Sequence, residues 1–399
     1  MKTRFLRSAA LVGLACVALL GATACSSGAS GGQSTGIPDG PIKIGAIYSL
    51  SGVFAAFGPA QEASGNATIA QVNADGGIDG HKLVLDVKND QSTPTGAVTA
   101  AQALVADNVA MVAFIGVSPD TLQAAPVLDK AKVPVITLLT DATFQDGKTW
   151  PYIFDDYPDT EQGVYPYASF LKSEGATSVT SINDTTPASV SFAADSDAAV
   201  KAAGIPVLKS VSFDPAAVDL TTQVQQLKAT GSDWLLANNV VGFVPLYNAL
   251  NAVGWHPNII ETTSAYYDGA SALGDLAPTT YAACNVAATP GSNLPANVTK
   301  VLAAATAKLG ATQPDLLTAM TSDYDGLLQY KYAAEKADSI SGPAVIKVLN
   351  TITNKSFSDP NWAYTYTSSD HLGWIASDDH ICTVSPLGQY GTPTIAATK

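Results

Sequence analysis

The chain has 399 residues, with 34 acids against 20 bases and a formal charge of −14. Charged residues make up only 14% and hydrophobic residues 47%, which is material for two to three domains with ample core. The acidity argues against a binder of phosphate backbones, which needs basic stripes. Arginine occurs only at Arg4 and Arg7, and every base beyond residue 25 is a lysine. A chain without its N-terminus therefore has no guanidinium fork for two-point recognition of a carboxylate or phosphate. Nucleic acid, nucleotides and dianionic substrates are all disfavoured.

Residues 1–7 carry three bases and no acid, and residues 8–24 are apolar and small. A basic head, a short greasy middle and small residues before a cut make a signal-peptide plan. The flank, Cys25-Ser26-Ser27-Gly28, opens a Gly/Ser/Thr-rich stretch to Gly40. It resembles a bacterial lipoprotein signal, with Ala22-Thr23-Ala24-Cys25 as the lipobox. That resemblance implies a lipidated Cys25, an anchor in the bilayer and a flexible tether over 25–40. Removing the first 24 residues, with their three bases, leaves 375 residues and a charge of −17. Of the four cysteines, Cys16 leaves with the signal and Cys25 is lipidated. Cys284 and Cys382 remain in an oxidising compartment, as a disulfide or as two free thiols.

From residue 41, short β-branched runs alternate with Ala-rich stretches. Strands are expected at 42–48, 83–87, 110–115 and 133–137, with helices at 59–74, 95–107 and 119–131. The run Phe154-Asp155-Asp156-Tyr157-Pro158 breaks the rhythm and reads as a crossover. A second series follows, with strands near 178–182, 206–211, 234–237, 259–261 and 281–286. Helices near 161–173, 188–203, 219–230 and 243–253 separate them. Three consecutive helices come next, at about 295–309, 314–337 and 342–353, and the tail 356–399 reads as turns and short strands. Such alternation means βαβ units and mainly parallel sheets covered on both faces.

Three stretches carry a resemblance: Ile42-Lys43-Ile44-Gly45-Ala46 through Ser49-Leu50-Ser51-Gly52 to Phe57-Gly58; Gln71-Val72-Asn73-Ala74-Asp75-Gly76-Gly77-Ile78-Asp79-Gly80-His81-Lys82-Leu83; and Asn89-Asp90-Gln91-Ser92-Thr93-Pro94. Together they resemble the branched-chain amino-acid (leucine/isoleucine/valine-binding) type of ABC-transporter solute-binding protein. The resemblance covers about residues 42–350. It implies an α/β fold of two Rossmann-like lobes with parallel sheets joined by three crossovers, the type I periplasmic-binding-protein plan. Lobe one is expected at 41–156 plus 285–355, and lobe two at 157–284 plus 356–399. The implied function is an extracytoplasmic receptor that closes by hinge motion on an amino acid or a related amide or carboxylate. Its implied partner is an ABC permease, the chain being a monomer that needs no cofactor. A ligand sensor of the same fold, signalling to a protein partner, is the alternative; a secreted lipoprotein hydrolase is a more distant one.

In open α/β sheets, ligands sit beyond the carboxyl ends of strands, near helix N-termini. That rule selects residues 49–58, 116–121 and 137–141, and on lobe two 183–189, Asn238-Asn239 and 262–264. The resemblance adds roles. Phe57 matches the aromatic that covers the ligand. Ser118, beside Val117, matches a serine that takes a carboxylate; a helix cap is its other role. Leu139, Thr140 and Asp141 match the loop after the fourth strand, where Asp141 either receives an ammonium or caps a turn. Lobe two departs from the amino-acid binders: Asn239 stands where an aromatic is usual, and Thr262–Thr263 where a glutamate is usual. Tyr266 and Tyr267 either supply aromatic walls instead or pack on the surface. These departures leave room for a neutral amide, an aromatic acid or another small solute.

Chemistry for catalysis is missing from the sequence. Gly28-Ala29-Ser30-Gly31-Gly32 matches G-x-S-x-G only inside the tether, away from any strand–helix turn. Gly147-Lys148-Thr149 lacks the earlier glycine of a P-loop, which is Ala142. His81, His256, His371 and His380 show no metal spacing. His371, His380 and the acid pairs Asp155-Asp156 and Asp378-Asp379 read as solvated loop residues.

Overall fold

The computed structural model describes residues 36–115, 119–139, 142–157, 164–262, 272–285, 294–309, 314–360, 362–373, 379–384 and 390–396, all within the unit Gly36–Lys399. Strands β1 (Ile42–Tyr48), β2 (Leu83–Asn89), β3 (Met111–Ile115), β4 (Val135–Thr137) and β5 (Ile153–Asp155) form a parallel sheet ordered β2-β1-β3-β4-β5. Helices α1 (Gly58–Ala74), α2 (Pro94–Ala106) and α3 (Ala125–Lys130) link them. The helix expected over 119–131 is α only in its second half. Its first half, Pro119–Ala124, is a 3-10 turn, because Pro126 in the first turn of α3 has no N–H to extend the ladder backwards.

The second sheet takes β6 (Val179–Asp184), β7 (Val207–Phe213), β8 (Trp234–Ala237), β9 (Asn258–Glu261) and β10 (Thr280–Asn285). Helices α4 (Tyr165–Ser173), α5 (Pro187–Ala202), α6 (Thr221–Lys228) and α7 (Phe243–Val253) cover it. Helices α8 (Ala296–Leu309), α9 (Pro314–Ala337) and α10 (Gly342–Leu349) return to the first lobe, where they pack with α1 on one face of the sheet. Two further strands, β11 (Asp379–Val384) and β12 (Tyr390–Ala396), extend the second sheet to the order β12-β11-β10-β9-β8-β6-β7. Both join antiparallel, β11 to β10 and β12 to β11, so this sheet is parallel only from β7 to β10. The chain thus changes sheets three times: after β5, after β10 and before β11.

Two expectations shift. Phe154 and Asp155 belong to β5, and the first crossover begins after them. The segment 356–373 belongs to the first lobe: Trp362, Tyr364 and Tyr366 are buried in the same cluster as Ile42, Ile44 and Tyr330. Asp155 N–H donates to His371 O at 2.9 Å, and Gly373 N–H to Asp155 O at 2.8 Å, so this segment runs beside β5. His371, expected in solvent, is fully buried and stacks on Phe154 with ring centroids 3.9 Å apart. Its Nδ1 lies 2.7 Å from Ile153 O, and burial pushes its imidazole below the usual range. Asp155 and Asp156 are equally buried. The Asp155 carboxylate repays its desolvation by accepting the amides of Leu139 (3.1 Å) and Tyr157 (3.2 Å).

Close backbone approach explains one glycine on α9. A Cβ at Gly326 would stand 2.8 Å from Ile136 O and 2.9 Å from an Asp156 carboxylate oxygen. Gly326→Ala is expected to force α9 away from β4 at a cost of about 1–3 kcal/mol, read as a lowered urea midpoint.

Candidate functional site

Strand order reverses at one place in each parallel sheet. In the first it lies between β1 and β3, and in the second between β6 and β8. Such switch points leave a crevice at the carboxyl ends of the strands. The described loops that emerge there are 49–57 on lobe one, and 185–186 and 238–242 on lobe two.

The loop 49–57 is held by the segment after β2. Ser49 Oγ donates to Asp90 Oδ2 (3.0 Å), and Leu50 N–H donates to Asn89 Oδ1 (3.0 Å). Ser92 Oγ donates to Ser51 O (2.7 Å) and accepts from Phe54 N–H (3.1 Å). Gly52, at φ +90°, lets the two loops touch, since a Cβ there would meet Gln91 O at 2.6 Å. Burial pushes the Asp90 carboxyl up, against hydrogen bonds from Ser92 and Ser49. Thr93 then caps α2, its Oγ1 accepting from Gly96 N–H at 3.0 Å. The motif Asn89-Asp90-Gln91-Ser92-Thr93-Pro94 therefore clamps the first loop.

That loop presents Phe54 and Phe57, each 2% exposed, with ring centroids 6.3 Å apart. Their apolar neighbours are on the other lobe: Val240 and Val241 after β8, and Ala188 at the start of α5. Neither ring belongs to the core of its own lobe. The two switch points meet through this cluster.

On lobe two, the wall under Val240 and Val241 is built around Asp184, the last residue of β6 and fully buried. Its Oδ2 accepts from Val240 N–H (2.7 Å), Val241 N–H (3.1 Å) and Ser189 Oγ (2.5 Å). Its Oδ1 accepts from Thr186 N–H (2.8 Å). Thr186 and Pro187 start α5, while Gly242 starts α7 at φ +81° against the Phe213 ring. Beside this wall, Asn239 Nδ2 donates to Val241 O (2.8 Å), and Thr262 Oγ1 donates to Asn239 O (2.6 Å). Glu261 ends β9 at 1% exposure, with the Tyr247 hydroxyl donating to Oε2. Burial pushes its carboxyl up to about 8, against that one hydrogen bond. The buried oxygens Asn238 Oδ1, Asn239 Oδ1 and Glu261 Oε1 have no hydrogen-bond partner among the described residues.

Among the expected site residues, Phe57 lies in the interlobe cluster and Asn239 lies in the lobe-two wall. Leu139 is placed differently: its side chain is in the core of lobe one and its amide is occupied by Asp155. Val117, Ser118, Thr140, Asp141, Thr263, Tyr266 and Cys25 lie outside the described residues. Cys382 is disulfide-bonded. Cys284 stands opposite His380 on the neighbouring strand, two positions along from Cys382, and its side chain is outside the described set. Phe54 and Asp184 lie inside the selected stretches 49–58 and 183–189 but carried no role there, and Val240 and Val241 follow the selected Asn238-Asn239. An acid closing a strand just before Thr185-Thr186-Pro187, a helix-capping signal, was the available clue to Asp184.

Residues 41–374 match the model of a family described as periplasmic binding protein. The chain belongs to the periplasmic binding protein family. Members are extracytoplasmic ligand-binding receptors, not enzymes. The chain is 26% identical over 193 residues to the Leu/Ile/Val-binding protein homolog 3 of Brucella melitensis, an alignment covering 48% of this chain. It spans about half, 52%, of that relative's length. Among solved structures, the branched-chain amino-acid substrate-binding protein LivJ of Streptococcus pneumoniae, in complex with isoleucine, superposes with a TM-score of 0.71 at 18% identity. That match covers 89% of this chain and 99% of LivJ. A fatty-acid ABC-transporter substrate-binding protein from Thermomonospora curvata superposes with a TM-score of 0.74 at 16% identity, covering 90% of this chain and 92% of its own. These likenesses establish the two-lobed type I fold. Among the described residues no helix is long and apolar enough to cross a membrane, and no group of His, Cys, Asp and Glu is arranged for a metal.

Proposed function

We propose that this protein is the solute-binding receptor of an ABC importer, held at the outer face of the cell membrane by a lipid on Cys25. The observation that carries the reading is the interlobe cluster, in which Phe54 and Phe57 of one switch point close on Val240 and Val241 of the other. A small solute enclosed there gains affinity from apolar contact and a few directed hydrogen bonds, and its contacts with both lobes stabilise closure. Ser118, Thr140 and Asp141 on lobe one, and Thr263 and Tyr266 on lobe two, belong to this proposed site. The solute is an amino acid or a related amide or carboxylate. A Cys284–Cys382 bridge ties β10 to β11, beside the second and third crossovers.

The test is a thermal-shift screen over amino acids, amides, aromatic acids and polyols. A true ligand at a hundred times its dissociation constant adds about 2.7 kcal/mol of stability, a shift of several degrees. Ser118→Ala is expected to reduce that shift without changing the melting temperature of the free protein. An unchanged shift places the solute elsewhere. Separately, Cys25→Ala is expected to move the protein from the membrane fraction to the soluble fraction, and retention in the membrane excludes the lipid anchor.

A further inference from the structure

We propose that Asp184 is a built-in anion that fills the donor site of the second lobe and so bars an anionic group of the ligand from that wall. Three backbone N–H groups and one hydroxyl, from the start of α5 and from the loop between β8 and α7, converge on its carboxylate: Thr186, Val240, Val241 and Ser189. Successive loop amides, joined by those of a helix start, are a donor set that elsewhere receives phosphate or carboxylate groups. Here the chain supplies the carboxylate itself, fully buried, at the strand-order reversal where a ligand is received.

The consequence is a wall that offers acceptors in place of donors. The Val240 and Val241 amides are taken. Thr262 Oγ1 donates to Asn239 O, and Asn239 Nδ2 donates to Val241 O. Among the described residues, the buried acceptors of this wall left without a partner are Asn238 Oδ1 and Asn239 Oδ1. Neither 179–200 nor 234–262, the segments that build this wall, contains a lysine or an arginine. A ligand facing lobe two must therefore bring N–H or O–H donors, or apolar surface for Val240 and Val241. A carboxylate, where the ligand has one, is left to lobe one. Asp184 is a positioning residue in this scheme: it also fixes the backbone on which Phe54 and Phe57 close.

This ligand class rests on the receptor reading, but the part played by Asp184 is testable without any ligand. Asp184→Ala empties the donor site, and its melting temperature is expected to drop. Acetate or formate in millimolar steps is expected to restore more than half of that drop, while chloride at equal ionic strength is not. Wild type gains nothing from the same acetate. Asp184→Asn fills the space but turns an NH2 group toward the converging amides, so it is destabilised and acetate does not help it. Should Asp184→Ala not accumulate, Asp184→Ser and refolding yield with and without acetate give the same reading. Failure of acetate to rescue the alanine or serine variant, or an equal gain by wild type, overturns the proposal. Isovaleramide and isovalerate, tested as a pair on wild type, then probe the selectivity. A shift by isovalerate lost on Asn239→Ala but retained on Ser118→Ala would place the carboxylate at lobe two and overturn it. Silence of both probes and of the whole solute screen counts against the receptor reading and leaves the acetate result standing.

Discussion

Replacing Phe54 and Phe57 together by alanine is expected to weaken ligand binding by about a hundredfold or more while each lobe stays folded. Truncating a buried phenylalanine costs about 3–5 kcal/mol when the cavity cannot collapse. Here the loss falls on the contact between lobes, because both rings pack with Val240, Val241 and Ala188 rather than in either core of lobe one. The loop that carries them keeps its own supports, since Ser49, Leu50, Ser51 and Phe54 are held through backbone and Ser49 Oγ bonds to Asn89, Asp90 and Ser92. A closed form weakened by about 3 kcal/mol is populated roughly a hundredfold less, and apparent affinity falls by the same factor when closure is needed for binding. Small-angle scattering reads the population directly. Wild type is expected to contract on ligand saturation, and the double variant is expected to stay expanded. Normal binding and normal contraction in the double variant would show that this cluster is not the closing contact.

The lobes were legible because strands and helices differ locally in composition and length. Ile42–Tyr48 is a short, nearly continuous apolar run, and Gly58–Ala74 is a long Ala-containing stretch opened by Pro59 and followed by Gly76-Gly77. Three features were not legible, each for a physical reason. Strand β5 is three residues long, begins two residues after Pro151 and ends on an acid, so its strand character comes from pairing with β4 on one side and with the segment around Leu372 on the other. The tail carries a short period-two run, Trp362-Ala363-Tyr364-Thr365-Tyr366, which marks a buried face but not the lobe that buries it; the three rings supply large apolar surface to lobe one, with the Tyr364 hydroxyl satisfied by Asp325 at 2.8 Å. At the site, the rule that ligands lie beyond strand ends found the right loops but not which atoms remain free there. Leu139 has spent its amide on Asp155, Asn239 its side-chain NH2 on Val241, and Val240 and Val241 their amides on Asp184. Those pairings depend on neighbours 2 to 57 residues away in sequence, which no local pattern records.

Glu261 and Asp325 are expected to make stability fall as pH rises from about 5 to about 8, opposite to paired surface carboxylates and to His371, whose lowered imidazole adds a rise with pH in the lower part of that range. Glu261 is buried and its carboxyl is pushed from 4.5 up to about 8 by burial, against the hydrogen bond from Tyr247. Asp325, also buried, is pushed from 3.8 to about 7 by burial, against hydrogen bonds from Ser358 and Tyr364. Both are neutral in the folded protein across a range where the unfolded chain has already released their protons. The folded state then binds more protons than the unfolded state, so unfolding becomes easier with each step up in pH. The stabilising contribution is fully present below about pH 4 and is lost as pH passes through 7 and 8. Each group contributes a slope of about 1.4 kcal/mol per pH unit inside its window. Glu261→Gln keeps an acceptor for the Tyr247 hydroxyl and carries no titrating proton, so its slope above pH 7, where Asp325 has finished, is expected to flatten. Asp325→Asn is expected to remove the part between about pH 4 and 7 while lowering stability at every pH, because one acceptor for Ser358 or Tyr364 becomes a donor. Urea midpoints taken at each pH for the three proteins separate the two contributions. A Glu261→Gln variant with the slope of wild type between pH 7 and 8 would mean that Glu261 is ionised in the folded protein, in contact with water or a cation.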